Sequence, residues 1–134
     1  MKQETLIIDD DKIMCLLHEK LCQLHYLPQP KTFMRADEAL TYILRNNHSS
    51  NSFTLLLDIN MPEMNGWQFL DTLQQEEIFM NLYIILLTSS VETSDEEQAG
   101  KYPLVHAFIS KPLDGRKIRT LLKDQRLMEH ISTV

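Results

Sequence analysis

The chain has 134 residues, 43% of them apolar and 24% charged, and a formal net charge of −6. That length suits one domain, read here as residues 1–134, which buries its own core without a disulfide or structural metal. The acidic balance excludes a generic nucleic-acid surface, which needs a basic stripe; the short apolar runs exclude a membrane span; and Lys2, Glu4 and Asp9 interrupt any N-terminal targeting core, which points to a cytoplasmic protein.

Five short apolar runs recur along the chain, each a predicted strand: Thr5 to Ile8, Lys31 to Met34, Phe53 to Leu57, Leu82 to Leu87 and Val105 to Ile109. Runs of this length without alternation suit strands covered on both faces. Helical spacing fills the gaps. Ile13, Leu16, Leu17, Leu21 and Leu24 follow the first run and predict a helix with that stripe inward. On the same helix Cys15 and Cys22 stand two turns apart, too far for a disulfide, and are expected to be reduced and half-buried. Ala36, Ala39, Leu40, Ile43 and Leu44 follow the second run. The polar stretch Arg45 to Ser52 is expected merely to connect. Trp67, Leu70 and Leu73 follow the third run, with Trp67 and Phe69 as packing residues. Glu92 to Lys101 is acidic and nearly devoid of apolar residues, and predicts a short exposed helix. Ile118, Leu121, Leu122 and Leu127 predict a fifth and last helix. Met61, Met64, Met80 and Met128 are read as packing residues, and the five histidines (His18, His25, His48, His106, His130) as surface or partly buried groups without metal-ligand spacing. Strict alternation of strand and helix means an α/β fold with a parallel sheet and helices on both faces.

Ligands of open parallel sheets sit beyond the carboxyl ends of the strands. There the sequence sets Asp9, Asp10 and Asp11, then Asp58 and Asn60, then Thr88, Ser89 and Ser90, then Lys111 and Pro112. Clustered carboxylates repel and take up protons unless a cation joins them. A hard divalent ion, Mg²⁺ above all, suits oxygen ligands. One carboxylate beside such an ion can attack phosphorus, while a hydroxyl and an ammonium bind the other phosphoryl oxygens. Asp58, Thr88 and Lys111 fit these three roles. Taken singly, Asp58 reads equally as a turn cap, Thr88 as a strand terminator and Lys111 as a surface lysine. No glycine-rich phosphate loop, nucleophile elbow or D-x-D phosphatase pattern is present.

The segments LIIDDDK, LLLDINMPEMNGWQF, IILLTSS and FISKPL, in this order and one per strand end, resemble the receiver domain of two-component response regulators. The resemblance implies a flavodoxin-like doubly wound sheet of order 2-1-3-4-5 with five helices. It implies Asp58 as phosphoacceptor, Asp9 and Asp10 as the acidic pair with Asp10 the more direct Mg²⁺ ligand, and Asn60 lending its backbone carbonyl to the metal. Thr88 would bind a phosphoryl oxygen and move on switching, and Lys111 would pair with Asp58 or its phosphate. The Lys111–Pro112 bond would be cis, and Asn65-Gly66 would form the turn into helix three. Asp11 would then cap helix one; the alternative register makes Asp10 and Asp11 the pair. The switch position usually held by tyrosine is Phe108, which lacks a hydroxyl.

The function expected is a phosphorylatable switch that takes a phosphoryl group from a sensor histidine kinase or histidine phosphotransfer protein. It would catalyse only its own phosphorylation and slow dephosphorylation, so it is not an enzyme with a turned-over metabolite. No output domain follows, so signalling would run through contact with an output protein that the sequence does not name, or through onward transfer in a phosphorelay. Asn60 and Ser90 are expected to flank the water that attacks the phosphate. The rival readings are a phosphorylation-independent interaction module on the same fold and an aspartyl-phosphate phosphohydrolase.

Overall fold

A computed structural model describes residues 1–89 and 93–132, with only the backbone of Thr93. Five parallel strands, β1 (Gln3–Ile8), β2 (Pro30–Phe33), β3 (Ser52–Asp58), β4 (Asn81–Thr88) and β5 (Val105–Ser110), form one sheet of order β2-β1-β3-β4-β5. The helices among the described residues are α1 (Lys12–Leu24), α2 (Ala36–Arg45), α3 (Gly66–Gln74), α4 (Thr93–Ala99), α5 (Gly115–Leu121) and α6 (Gln125–Ile131). The expected doubly wound topology is present, with each strand within two residues of its predicted bounds.

The continuous apolar runs are explained by two cores. Leu6 and Ile8 of β1, Phe53, Leu55 and Leu57 of β3, and Ile84 and Leu86 of β4 join Ala36, Ala39, Leu40 and Ile43 of α2 and Phe69, Leu70 and Leu73 of α3. Their strand neighbours Ile7, Leu56, Tyr83, Ile85 and Leu87 point the other way, toward Cys15 and Cys22 of α1, Ile118 of α5 and Leu127 of α6. A parallel sheet sealed on both faces needs apolar residues at every position, so alternation disappears.

The expected single fifth helix is two helices. The chain leaves helical conformation after Leu121, and Asp124 starts α6 by accepting the backbone N–H of Arg126 at 2.8 Å. Leu127 is therefore buried by α6 instead of by a continued α5. Met128 is 40% exposed, not packed inside as expected, whereas Met61 and Met80 are buried and Met64 packs partly on the core.

The loop after α2 does more than connect. Asn47 accepts the N–H of Phe79 and donates to Glu77 O, and Asn51 accepts the N–H of Lys2 and donates to Asn46 O. These four bonds tie the β1 and β4 entries together at the end of the sheet away from the aspartates. The acidic α4 is mostly exposed, as expected, with Ala99 its buried residue; Ser90 and Glu92 lie outside the described residues. Trp67 stacks on Tyr102 at 5.7 Å and Phe69 is fully buried, which makes both packing residues.

The largest departure is in α1. Most of its expected inward stripe faces out: Ile13 is 73% exposed and Leu24 70%, with Leu16 and Leu17 also exposed, while Leu21 packs partly on the core. Cys15, His18 and Cys22 are buried in their place, so His18 is no surface histidine and the thiols are more than half-buried. Both cysteines are free.

Candidate functional site

The candidate residues stand at strand ends, those of the interior strands β1, β3 and β4 and of the edge strand β5. β1 runs out at Ile8, so Asp9 follows at the sheet's carboxyl edge, and the N–H of Asp9 continues the ladder to Phe33 O at 3.0 Å. Asp9 is buried and Asp10 exposed. Asp11 caps α1, its carboxylate accepting the N–H groups of Ile13 at 2.9 Å and Met14 at 3.3 Å. Asp11 is thus engaged as the cap of α1, while carboxylate oxygens of Asp9 and Asp10 are the ones that gather with Asp58.

Asp58 ends β3 and is buried. One oxygen, Oδ1, accepts the N–H of Asn60 at 3.2 Å, and the exposed Asn60 leads the loop away. The loop turns back because Gly66 lets α3 start against it. A Cβ on Gly66 would lie 2.9 Å from Ile59 Cα and 3.0 Å from Asp58 O, and the Gly66 N–H donates to Ile59 O at 2.8 Å. A reciprocal capping box of Asn65 and Gln68 completes that start.

Thr88 is fully buried at the end of β4, and its carbonyl accepts the N–H of Lys111 at 2.7 Å. Lys111 follows β5, and its bond to Pro112 is cis. The ammonium lies 3.0 Å from Asp9 Oδ2 and 3.4 Å from Asp58 Oδ2, so Lys111 bridges the two carboxylates instead of pairing with Asp58 alone. Phe108 sits half-buried on β5 beside Leu86 and packs on the α2–α3 core.

Carboxylate oxygens of Asp9, Asp10 and Asp58 lie within 4.8 Å of one another. This all-oxygen donor set fits a hard divalent cation. Burial pushes the Asp58 carboxyl up to about 6, helped by the Asp9 charge and opposed by Lys111 and the Asn60 N–H. Burial works against the Lys111 ammonium, but the hydrogen bond to Asp9 and the charges of Asp58 and Asp9 outweigh it and raise its pKa above the usual lysine value.

Residues 5–123 match the profile of the response regulator receiver domain. The chain belongs to that family. Among curated relatives, Response regulator Rre1 of Synechocystis is 33% identical over 70 residues, covering 52% of this chain and 30% of that protein. The sensor histidine kinase CheAY of Helicobacter pylori is 32% identical over 69 residues, covering 52% of this chain and 8% of that protein. The matched stretch thus spans less than a third of either relative. A two-component response regulator of Cytophaga hutchinsonii superposes with a TM-score of 0.78 at 24% identity, over 96% of this chain and 99% of that one. The chemotaxis protein CheY4 of Vibrio cholerae gives 0.75 at 17% identity, over 92% and 98%. At these identities the two structures establish the receiver fold.

Two side chains beside the site were missed by the sequence reading. His18 reaches across from α1 to the N–H of Leu113 at 3.2 Å, and Lys117 of α5 binds Ser110 O at 2.9 Å and Pro112 O at 3.0 Å. Neither belongs to a strand-end motif. The one available signal was a histidine three residues from Cys15 and four from Cys22, on one stripe of α1.

Proposed function

We propose that the chain is a phosphorylatable signalling switch in which Asp58 takes a phosphoryl group from a phosphohistidine donor. A carboxylate oxygen of Asp58 forms the new bond to phosphorus, the P–N bond of the donor breaks, and the imidazole leaves. The observation that carries this reading is the gathering of Asp9, Asp10 and Asp58 around one point with Lys111 held against two of them. Three carboxylates at one sheet edge destabilise a fold unless a cation and a chemical task occupy them.

Asp9, Asp10, Asp58 and the Asn60 carbonyl would hold Mg²⁺, which when bound neutralises charge on the phosphoryl oxygens. Lys111 presents a fixed ammonium to a second phosphoryl oxygen, and Thr88 a hydroxyl to a third. Because Asp58 and Thr88 are buried, these groups act where water screens them little. Movement of Thr88 and Phe108 toward the phosphorylated Asp58 would remodel the surface formed by α4, β5 and α5, a population shift driven by local charge. The domain would catalyse its own phosphorylation and slow dephosphorylation and turn over no metabolite.

The donor is a protein in this reading, a sensor histidine kinase or a histidine phosphotransfer protein. The exposed apolar residues Ile13, Leu16 and Leu17 support it, because they begin two residues beyond the acidic mouth at Asp9 to Asp11. Free thiols at Cys15 and Cys22 suit a reducing cytoplasm.

Intact-mass spectrometry after incubation with acetyl phosphate and Mg²⁺ tests the proposal. One added phosphoryl group is expected, and none with Asp58→Asn or with EDTA. An adduct that survives Asp58→Asn overturns the acceptor assignment. No adduct and no free phosphate released would leave a phosphorylation-independent interaction module, whereas steady phosphate release would mark a phosphohydrolase.

A further inference from the structure

The turn from Ser110 to Leu113 carries Lys111, and its polar groups are bound by side chains of two helices that no strand-end motif includes. From α5, the Lys117 ammonium donates to Ser110 O at 2.9 Å, to Pro112 O at 3.0 Å and to Ser110 Oγ at 3.1 Å. An ammonium has three donors, and all three are used within this one turn. From α1, His18 Nε2 accepts the N–H of Leu113 at 3.2 Å. The sheet supplies the remaining restraint, through the Lys111 N–H and Thr88 O.

His18 is an expensive residue for its place. It is fully buried, and its Nδ1 has no hydrogen-bond partner among the described residues. With Nε2 accepting, the ring proton sits on Nδ1, so an N–H is buried unpaired. An apolar residue of similar size would fill the space without that penalty. The side chain is therefore explained by its other nitrogen, which holds the residue two positions after Lys111. Burial lowers the pKa of His18 and the Lys111 charge adds to this, although the Asp9 charge opposes it; the neutral ring is the form that accepts.

We propose that His18 of α1 and Lys117 of α5 are positioning residues that together clamp the Ser110–Leu113 turn and thereby set the reach of Lys111 Nζ to Asp9 and Asp58. Neither touches the reacting atoms. Lys111 has a long flexible stem, and its ammonium stays 3.0 Å from Asp9 and 3.4 Å from Asp58 only if the backbone beneath it is held. The consequence for phosphoryl transfer rests on the function proposed above, while the geometric claim does not.

The test measures the rate of Asp58 phosphorylation by acetyl phosphate in the full chain, for His18→Leu, His18→Gln and Lys117→Met, each also combined with Lys111→Ala. Urea unfolding confirms that every variant is folded. His18→Leu and Lys117→Met are expected to slow the reaction roughly 10-fold each, the scale of a sub-ångström misplacement. His18→Gln, whose amide oxygen can accept the Leu113 N–H, should recover most of that loss. In the Lys111→Ala background the same substitutions should change nothing further. An unchanged rate in folded variants, or an equal loss without Lys111, overturns the clamp and leaves a structural role.

A second readout does not depend on phosphorylation. The ¹H–¹⁵N cross-peak of the Lys111 ammonium, assigned through Lys111→Arg, should be visible in the wild type and broadened away in His18→Leu and Lys117→Met. Its persistence in both variants overturns the clamp. If the wild type shows this peak, the variants lose it, and no chain is ever phosphorylated, the clamp stands and the proposed function falls.

Discussion

Helix α2 buries Ala36, Ala39, Leu40 and Ile43 against the sheet, while α1 turns Ile13, Leu16, Leu17 and Leu24 to the outside. Both helices have regular apolar spacing, so periodicity alone predicts the same inward stripe for each. The difference lies in what their partner surfaces offer. The sheet face under α2 is apolar apart from Glu4, which the Tyr42 hydroxyl of α2 binds, and the apolar stripe packs there. The face under α1 borders the aspartates and the Lys111 turn, where backbone groups need partners. Cys15 Sγ lies 3.2 Å from Asp9 O and His18 takes the Leu113 N–H, so the residues that can hydrogen-bond are turned inward. An apolar stripe marks a helix; its partner decides whether that stripe is the core or a docking face.

The sharpest way to break this contrast is paired truncation. Ile43→Ala in α2 should lower stability by about 3 kcal/mol in urea unfolding, the cost of a core cavity. Leu24→Ala in α1 should stay within about 0.5 kcal/mol. Equal losses would mean that the outward face of α1 is packed after all.

The site beside α1 carries a charge cost of its own. The folded-state pKa of Asp58 is raised to about 6 by burial, so the folded protein holds this proton more tightly than the unfolded chain. Stability from that proton is complete below the ordinary carboxylate pKa and is lost as pH rises through about 6. Asp58→Asn should therefore stabilise the metal-free protein by about 1–3 kcal/mol at pH 7, with the gain vanishing near pH 4. Thermal or urea unfolding at the two pH values checks this, and a gain independent of pH would point to packing instead of charge.

A smaller effect tests how α1 is anchored. Asp11→Ala removes two N-terminal hydrogen bonds and should cost about 1 kcal/mol. The exposed leucines should matter least for stability and most for docking. Leu17→Ala is expected to slow transfer from a phosphohistidine donor while leaving acetyl phosphate labelling unchanged, measured side by side. The buried stripe should be chemically silent: burial pushes the Cys15 thiol up to about 11 and Cys22 to about 12, so neither should react with iodoacetamide at pH 8 until the protein unfolds.

The five strands, their parallel arrangement and the residues at their carboxyl ends were legible from local pattern, whereas the order 2-1-3-4-5 came with the family resemblance. Apolar runs bounded by Asp9, Asp58, Thr88 and Lys111 announce buried strands that stop at a polar edge, and Asp11 suits a helix cap by residue type. The break between α5 and α6 left a trace in the spacing: nine residues, about two and a half turns, after Ile118, Leu127 would lie on the opposite face of a continued helix. Asn47 and Asn51 looked like loop filler because their partners, Phe79 and Lys2, are remote in sequence.

Short-range chemistry therefore settled which segments form elements and which side chains stand at the edge of the sheet. Long-range contact decided the rest: that Lys111 bridges Asp9 and Asp58, that α1 hides His18 and shows Leu16, Leu17 and Leu24, and that Lys117 and His18 meet at one turn. Secondary structure answers to neighbours a few residues apart, whereas the His18 bond to Leu113 closes a separation of 95 residues. A hydrogen bond of that range has no periodicity to announce it, and it exists only after the sheet has brought α1 and the β5–α5 turn together.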